Sequence, residues 1–323
     1  MKKNIAVLSG GYSGEFEISV QSGQVVKKYL DNKKYNIYPI LINGKDWYYK
    51  DERNQKILID KNDFSLTIKS EKIRFDCVFI AIHGTPGEDG KLQGYFDMLG
   101  IPYTSCNQAT SALTFNKYFC KNYILNFDVA TPRSIHLVKS NRPDISDILQ
   151  KFNLPVFVKP NNGGSSVGMS KVHNQEELEP AIKKAFAEDD EILIEEYIEG
   201  REITCSIIQH KGKLIIFPVL EIICKKEFFD FESKYDPALA EEVVPARISS
   251  DVEISCKETS ALLYEKLNCK GVVRFDYIFN DSGLYFLEVN TIPGLTEASI
   301  VPKMARSYGL SLEELFSMMV EEV

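Results

Sequence analysis

The chain of 323 residues is 44% hydrophobic and 26% charged, and its formal net charge is −8. That length exceeds what one core usually serves, so two or three domains are expected, and the apolar share makes disorder a poor default. The acidic balance argues against a general nucleic-acid binder, which needs a basic footprint, but not against an anionic small ligand.

Residues 4–8, "NIAVL", predict a buried strand, "SGGYSGE" a glycine-rich turn, and "FEISVQSGQVVKKYL" a helix. Strands follow at 35–42 and 76–84, then a turn and helix over 87–100 and a short strand "IPYT". Strands alternating with helices predict an open parallel α/β sheet, closing near residue 103. Residues 107–127 read as mostly helical. Strands are expected at 154–160, 168–172 and 191–198, with a helix between the last two. Residues 203–222 predict a hairpin or meander, and residues 225–246 a long loop of the kind that often serves as a lid. A helix over "CKETSALLYEKLNC" leads into a hairpin at 271–290, and "SLEELFSMMVEEV" is an amphipathic helix starting at a serine cap.

Seven cysteines, at 77, 106, 120, 205, 224, 256 and 269, include no C-x-x-C pair. That pattern argues against a disulfide framework and structural zinc, and a reducing compartment fits. The N-terminal apolar run is shorter than the about 7–15 residues of a secretory core, and none approaches the roughly 18 of a membrane span. A soluble cytoplasmic protein without membrane partners is expected.

The hairpin "GVVRFDYIFNDSGLYFLEVN" places Arg274, Asp276, Glu288 and Asn290 inside apolar runs. With Asp281-Ser282-Gly283 as a three-residue loop, Asn280 pairs with Leu284, Asp276 lies opposite Glu288, and Arg274 lies opposite Asn290. Period-two alternation then puts all four on one face. Facing carboxylates repel, and a divalent cation removes the conflict; oxygen donors without His or Cys suit Mg²⁺ shared with phosphates. The plainer reading is a solvated hairpin face with Arg274 bridging both carboxylates.

"VFVKPNNGGSSVGMSKV" is a glycine- and serine-rich loop between strands. No Lys-Ser or Lys-Thr closes it and no helix follows, so it is a hairpin flap rather than a P-loop. Its backbone N–H groups, the Ser165 and Ser166 hydroxyls and Lys159 can meet phosphate oxygens; otherwise it is an ordinary hairpin tip. Lys117 is a second candidate cation, or a surface helix lysine. In "ILIEEYIEGRE", Glu195 can accept from an adenine amino group and Glu202 from ribose hydroxyls, or the segment is a strand entering a solvated turn. Gly10, Gly11 and Gly14 do not make G-x-G-x-x-G, so the dinucleotide signal is weak. Glu15, at a helix start, stays ionised and can hold an ammonium, or simply complements the helix dipole. His83 ends a strand where open sheets place ligands, or is a satisfied core histidine.

Taken in order, "GGYSGEFEIS", "AIHGTPGEDGKLQGYFDMLGIPYT", "VKPNNGGSSVGMSKV", "LIEEYIEGRE", "FFDFESKY", "VVRFDYIF" and "FLEVNTIPGLTEASIVPKMAR" resemble the ATP-grasp enzymes, and within them the D-alanine–D-alanine ligases. The resemblance spans nearly the whole chain. It implies an N-terminal α/β substrate-binding domain (1–103), a central ATP-grasp subdomain (104–200) and a C-terminal catalytic subdomain (201–323). It implies that ATP lies between the last two, with Lys117 and Lys159 on its phosphates, Ser166 beside them, Glu195 at the adenine and Glu202 at the ribose. Asp276, Glu288 and Asn290 would hold two Mg²⁺ ions, for which Mn²⁺ can substitute. Glu15 would hold the first D-alanine and Ser299 the carboxylate of the second, with His83 a further substrate contact. Arg274 and the Gly294 N–H would stabilise the tetrahedral oxyanion. Lys234 would lie near the γ-phosphate, and Tyr235 would join Ser165 and Glu15 to lock a closing loop. A homodimer is expected. Asn116 stands where many members carry Asp, and Ile292 replaces a small or different residue in "NTxPG"; neither removes a named ligand. Tyr235 favours a dipeptide-forming enzyme over D-lactate-using relatives. The rival readings are an ATP-grasp carboxylate–amine ligase with another acceptor, D-lactate or another amino acid, and a nucleotide-binding protein without turnover.

Overall fold

The computed structural model describes residues 2–140, 145–224 and 239–323. Among them the chain forms three sheets. In the first, strand Lys3–Gly11 lies between Tyr35–Asn43 and Cys77–Ile80, parallel to both, with helix Phe16–Tyr29 making the crossover. Ile5, Ala6, Val7 and Leu8 are all fully buried, as expected of a parallel strand covered on both faces. The open parallel arrangement therefore holds for these three strands, at one end of the sheet. Beyond Tyr35–Asn43 the sheet continues as an antiparallel meander through Asp46–Lys50, Lys56–Asp60, Ser65–Ile68 and Glu71–Ile73. This mixed edge was not expected. Its strands are only three to five residues long, too short for an apolar alternation to stand out. The expected strand "IPYT" is reduced to one parallel bridge, Val78 to Tyr103.

The helical stretch expected at 107–127 is broken. Helix Gln108–Phe115 ends and helix Lys117–Ile124 begins at Asn116, whose extended backbone and side chain cap the second helix through the N–H of Phe119. The break matters because it turns Lys117 inward. The second sheet is antiparallel: Ser170–Val172, Val156–Pro160, Glu191–Glu196 and Ser134–Val138, in that order, with helix Leu178–Glu188 packed on it. The flap reading of residues 161–169 holds, since Ser170 pairs back with Val158.

The third sheet is also antiparallel. Strand Arg201–His210 lies between Leu220–Cys224 and Val272–Asn280, Gly283–Asn290 forms one edge, and Lys213–Ile216 pairs with the end of Arg201–His210. Within the stretch read as a loop, Ala240–Val243 is a strand paired with Leu220–Cys224, and residues 225–238 lie outside the described residues. Helix Ser250–Lys266 covers one face. The last helix, Leu312–Glu321, opens on the expected Ser311 cap, with Glu314 closing a capping box. Its Phe316 packs edge-on against Phe79 of the first sheet, 5.9 Å between ring centres. The first and third sheets thus share a core containing Val7, Phe79, Leu315 and Phe316.

Candidate active site

The hairpin brings its four polar residues to one cavity, by a different route from the one expected. Asn280 pairs with Gly283, not Leu284, so the loop is the two-residue Asp281-Ser282. A β-bulge between Asp276 and Tyr277 then absorbs one residue of the partner strand. The two differences cancel. Asp276 lies opposite Glu288 and Arg274 opposite Asn290, and all four side chains line the same cavity.

Arg274 does not bridge the two carboxylates. Its Nε and Nη2 both sit 2.9 Å from Asp276, a two-pronged clasp that is mostly buried. Burial alone would lower the Arg274 pKa, but Asp276 outweighs it and the guanidinium is held charged. Asn290 Nδ2 donates to Asp276 at 3.0 Å. Glu288 lies 3.8 Å from the ammonium of Lys117. Among the described residues, no group of three or more His, Cys, Asp or Glu side chains could hold a metal by itself.

The flap closes over the other side of the cavity. Ser165 and Ser166 adopt left-handed backbone, φ +52° and +57°, which side-chain-bearing residues occupy at a cost of about 1 kcal/mol or more each. Ser165 Oγ donates to Glu15, holding the flap against the N-terminal turn. A Cβ on Gly164 would come within 3.1 Å of the same carboxylate, so glycine there permits the approach. Lys117 donates to the Gly163 carbonyl. Lys159 sits 2.5 Å from Glu195, whose second oxygen is 2.5 Å from Lys121. Burial alone would push the Glu195 pKa up; the two ammoniums outweigh it and bring it down to about 2. Glu202 lines the same cavity.

His83 is held on both ring nitrogens: Nδ1 donates to the Ile292 carbonyl at 2.8 Å, which leaves Nε2 to accept from Ser22 Oγ at 2.9 Å. Burial lowers its pKa below the usual value, so the ring is neutral. Glu88, which the sequence reading passed over as part of a turn, accepts from the N–H groups of Gly84 (2.7 Å) and Ile292 (3.1 Å). Burial first, and nearby Glu15 second, push its carboxyl up to about 8. Both backbone groups of Ile292 are thus fixed by the 83–88 turn. Ile292 precedes Pro293 and Gly294, and a Cβ on Gly294 would stand 2.8 Å from Ser299 Oγ. Ser299 is the N-cap position of helix Ile300–Tyr308, and its hydroxyl bonds with Thr296 Oγ1 at 2.7 Å.

The cavity has a volume of about 960 Å³. It gathers every expected site residue that is described: Glu15, His83, Lys117, Lys159, Ser165, Ser166, Glu195, Glu202, Arg274, Asp276, Glu288, Asn290, Gly294 and Ser299. Lys234 and Tyr235 lie outside the described residues. Residues 4–106 match the D-ala D-ala ligase N-terminus family, and residues 125–321 match the D-ala D-ala ligase C-terminus family. The chain belongs to the D-ala D-ala ligase family. The D-alanine--D-alanine ligase of Flavobacterium johnsoniae is 46% identical over 319 residues, 99% of this chain and 98% of that protein. Among solved structures, the D-Ala:D-Ser ligase of Enterococcus faecalis superposes with a TM-score of 0.88 at 32% identity, covering 100% of both chains. The D-alanine--D-alanine ligase of Bacillus anthracis complexed with ATP gives 0.79 at 32% identity, over 99% of this chain and 97% of that one.

Proposed function

We propose that the protein joins two D-alanines, at the expense of ATP, through an acyl phosphate, to give the dipeptide used in peptidoglycan synthesis. The observation that carries this reading is that a phosphate-binding set and an amino-acid-binding set face one cavity. Lys117, Lys159 and the 163–166 flap form the first, and Glu15, Gly294 and Ser299 the second. Family membership supports it. We also propose three units, 1–103, 104–200 and 201–323, with the cavity at their junction.

Lys117 and Lys159, with Ser166 and the flap N–H groups, take the ATP phosphates. Glu195 was expected at the adenine, but both its oxygens are on lysines. We assign it to the phosphate side and leave the adenine edge to the backbone of residues 196–198, which lines the same cavity. Glu202 takes the ribose. Asp276, Glu288 and Asn290 offer only oxygen donors to a metal, a set that fits a hard cation. Two carboxylates and one amide fall short of a full shell, so phosphate oxygens and water complete it. Two Mg²⁺ ions, or Mn²⁺ in their place, supply charge neutralisation of the transferring phosphoryl group when bound.

Glu15 holds the ammonium of the first D-alanine, and Ser165 fixes Glu15. With the donor so held, its carboxylate oxygen attacks the γ-phosphorus, and the bond to the β-phosphate oxygen breaks, releasing ADP. The amine of the second D-alanine then attacks the acyl carbon. Arg274 spends two of its nitrogens on Asp276; a guanidinium has five N–H donors, so others remain for the oxyanion, alongside the Gly294 N–H. Phosphate leaves as the amide forms. Ser299, at the start of a helix, takes the carboxylate of the second substrate. His83, neutral and doubly bonded, keeps the 292–294 backbone in place. The seven cysteines are thiols rather than disulfides, which suits the cytoplasm, and a homodimer completes the reading.

The test is ADP and phosphate release with D-alanine, L-alanine, D-serine and D-lactate, with mass analysis of the product. D-alanine alone should support turnover, with one ADP per D-alanyl-D-alanine. No ADP with D-alanine, or a mixed product in preference when D-serine or D-lactate is added to it, would overturn the assignment.

A further inference from the structure

Helix Lys117–Ile124 carries two lysines four residues apart, and only the first lines the cavity. The second, Lys121, is buried, with its ammonium 2.5 Å from Glu195 Oε1 and 2.6 Å from the Pro132 carbonyl. Its own helix is anchored elsewhere, through Cys120 and Ile124 in the core beneath the hairpin sheet. Burying an ammonium is costly, and this one reaches no ligand directly. Its position makes sense through charge. Glu195 is shared between Lys121 and Lys159, and Lys159 is the member of the trio whose ammonium belongs to the phosphate set. With Lys121 present, the trio carries one net positive charge. Without it, Glu195 and Lys159 would form a closed neutral pair, and Lys159 would have little attraction left for an anion.

We infer that Lys121 is a positioning residue for nucleotide binding: by occupying Glu195, it releases the charge of Lys159 to the ATP phosphates. This rests on the assignment of Lys159 to the phosphates. Lys121 itself touches no substrate. Its effect falls on the phosphate end of ATP and leaves the nucleoside end alone. Removing the carboxylate along with the lysine restores the net charge, because Lys159 then stands without a competing anion.

The experiment is calorimetric binding of ATP and, separately, adenosine to the full chain and its variants. Lys121→Met should weaken ATP by about tenfold and adenosine by less than about twofold. Lys121→Arg, which keeps the charge, should stay within about threefold of the wild type for ATP. The double variant Lys121→Met with Glu195→Gln should recover ATP affinity to within about threefold, a rescue that simple structural damage would not produce. Unchanged ATP affinity in Lys121→Met, equal losses for ATP and adenosine, or no recovery in the double variant would each overturn the inference. Should Lys121→Met fail to fold, the double variant decides alone, since it leaves no buried unpaired carboxylate. Lys159→Met separates the two levels: ATP affinity unchanged there removes the phosphate assignment and this inference together. A loss there with none in Lys121→Met removes this inference only.

Discussion

Asp276→Asn and Glu288→Gln both delete one carboxylate charge from the facing pair, yet they should differ in stability. Asp276 is clasped by Arg274 through two nitrogens at 2.9 Å, with side chains only 9% and 15% exposed. Removing one partner of a buried pair costs about 3–5 kcal/mol, because the other charge is left without compensation. Asparagine keeps one acceptor, so the lower end, about 3 kcal/mol, applies. At roughly 2–4 °C per kcal/mol for a unit of this size, the melting temperature should fall by about 6–12 °C. Glu288 is 27% exposed, and its contact with Lys117 is 3.8 Å, beyond hydrogen-bond range. This looser contact loses less than the clasp, and relief of the repulsion across the strands offsets part of the loss, so Glu288→Gln should melt higher than Asp276→Asn. Thermal scans should be run without nucleotide or metal, since bound ligand would mask the difference. In parallel, calorimetric ATP binding over a Mg²⁺ titration should show weaker metal-dependent affinity in both. Equal melting losses in the two variants, or no loss in Asp276→Asn, would refute the clasp as a stabilising element.

Two further outcomes follow from the buried titratable groups. The Glu195 carboxyl is held near 2 rather than its usual 4.5, so its contribution, about 3 kcal/mol, is present above pH 4.5 and lost as pH falls toward 2. Urea unfolding at pH 7, 4 and 3 should show the gap between wild type and Glu195→Gln shrinking on acidification; a constant gap would count against the buried bridge. His83, pushed down by burial, should show a ¹⁵N ring protonation midpoint below the usual value of 6.5. A transition centred near 6.5 would mean that the ring is not locked between Ser22 and Ile292.

Short-range chemistry made the central features legible. The glycine-serine flap, the Ser311 cap and the facing carboxylates all follow from neighbours in sequence. The hairpin register was reached through two errors of one residue each, a loop counted one residue too long and a bulge not foreseen. Nothing local announces a bulge, because its cost and benefit lie in how the strand meets its partner. The edge meander at 46–73 is hidden because its strands, three to five residues long, are too short to show a period of two. Asn116 carries a readable signal, a polar capping residue inside a helical run. Glu88 and Lys121 could not be assigned from sequence, since their decisive partners, Ile292 and Glu195, are 204 and 74 residues away.

The first and last segments of the chain are welded by the packing of Val7 and Phe79 with Leu315 and Phe316. The second sheet, by contrast, has a core of its own, built from residues 135–194. At the cavity this sheet is joined to the N-terminal sheet by a polar contact, Ser165 of the flap donating to Glu15. Removing that hydrogen bond, as Ser165→Ala would, should loosen the flap without disturbing either apolar core.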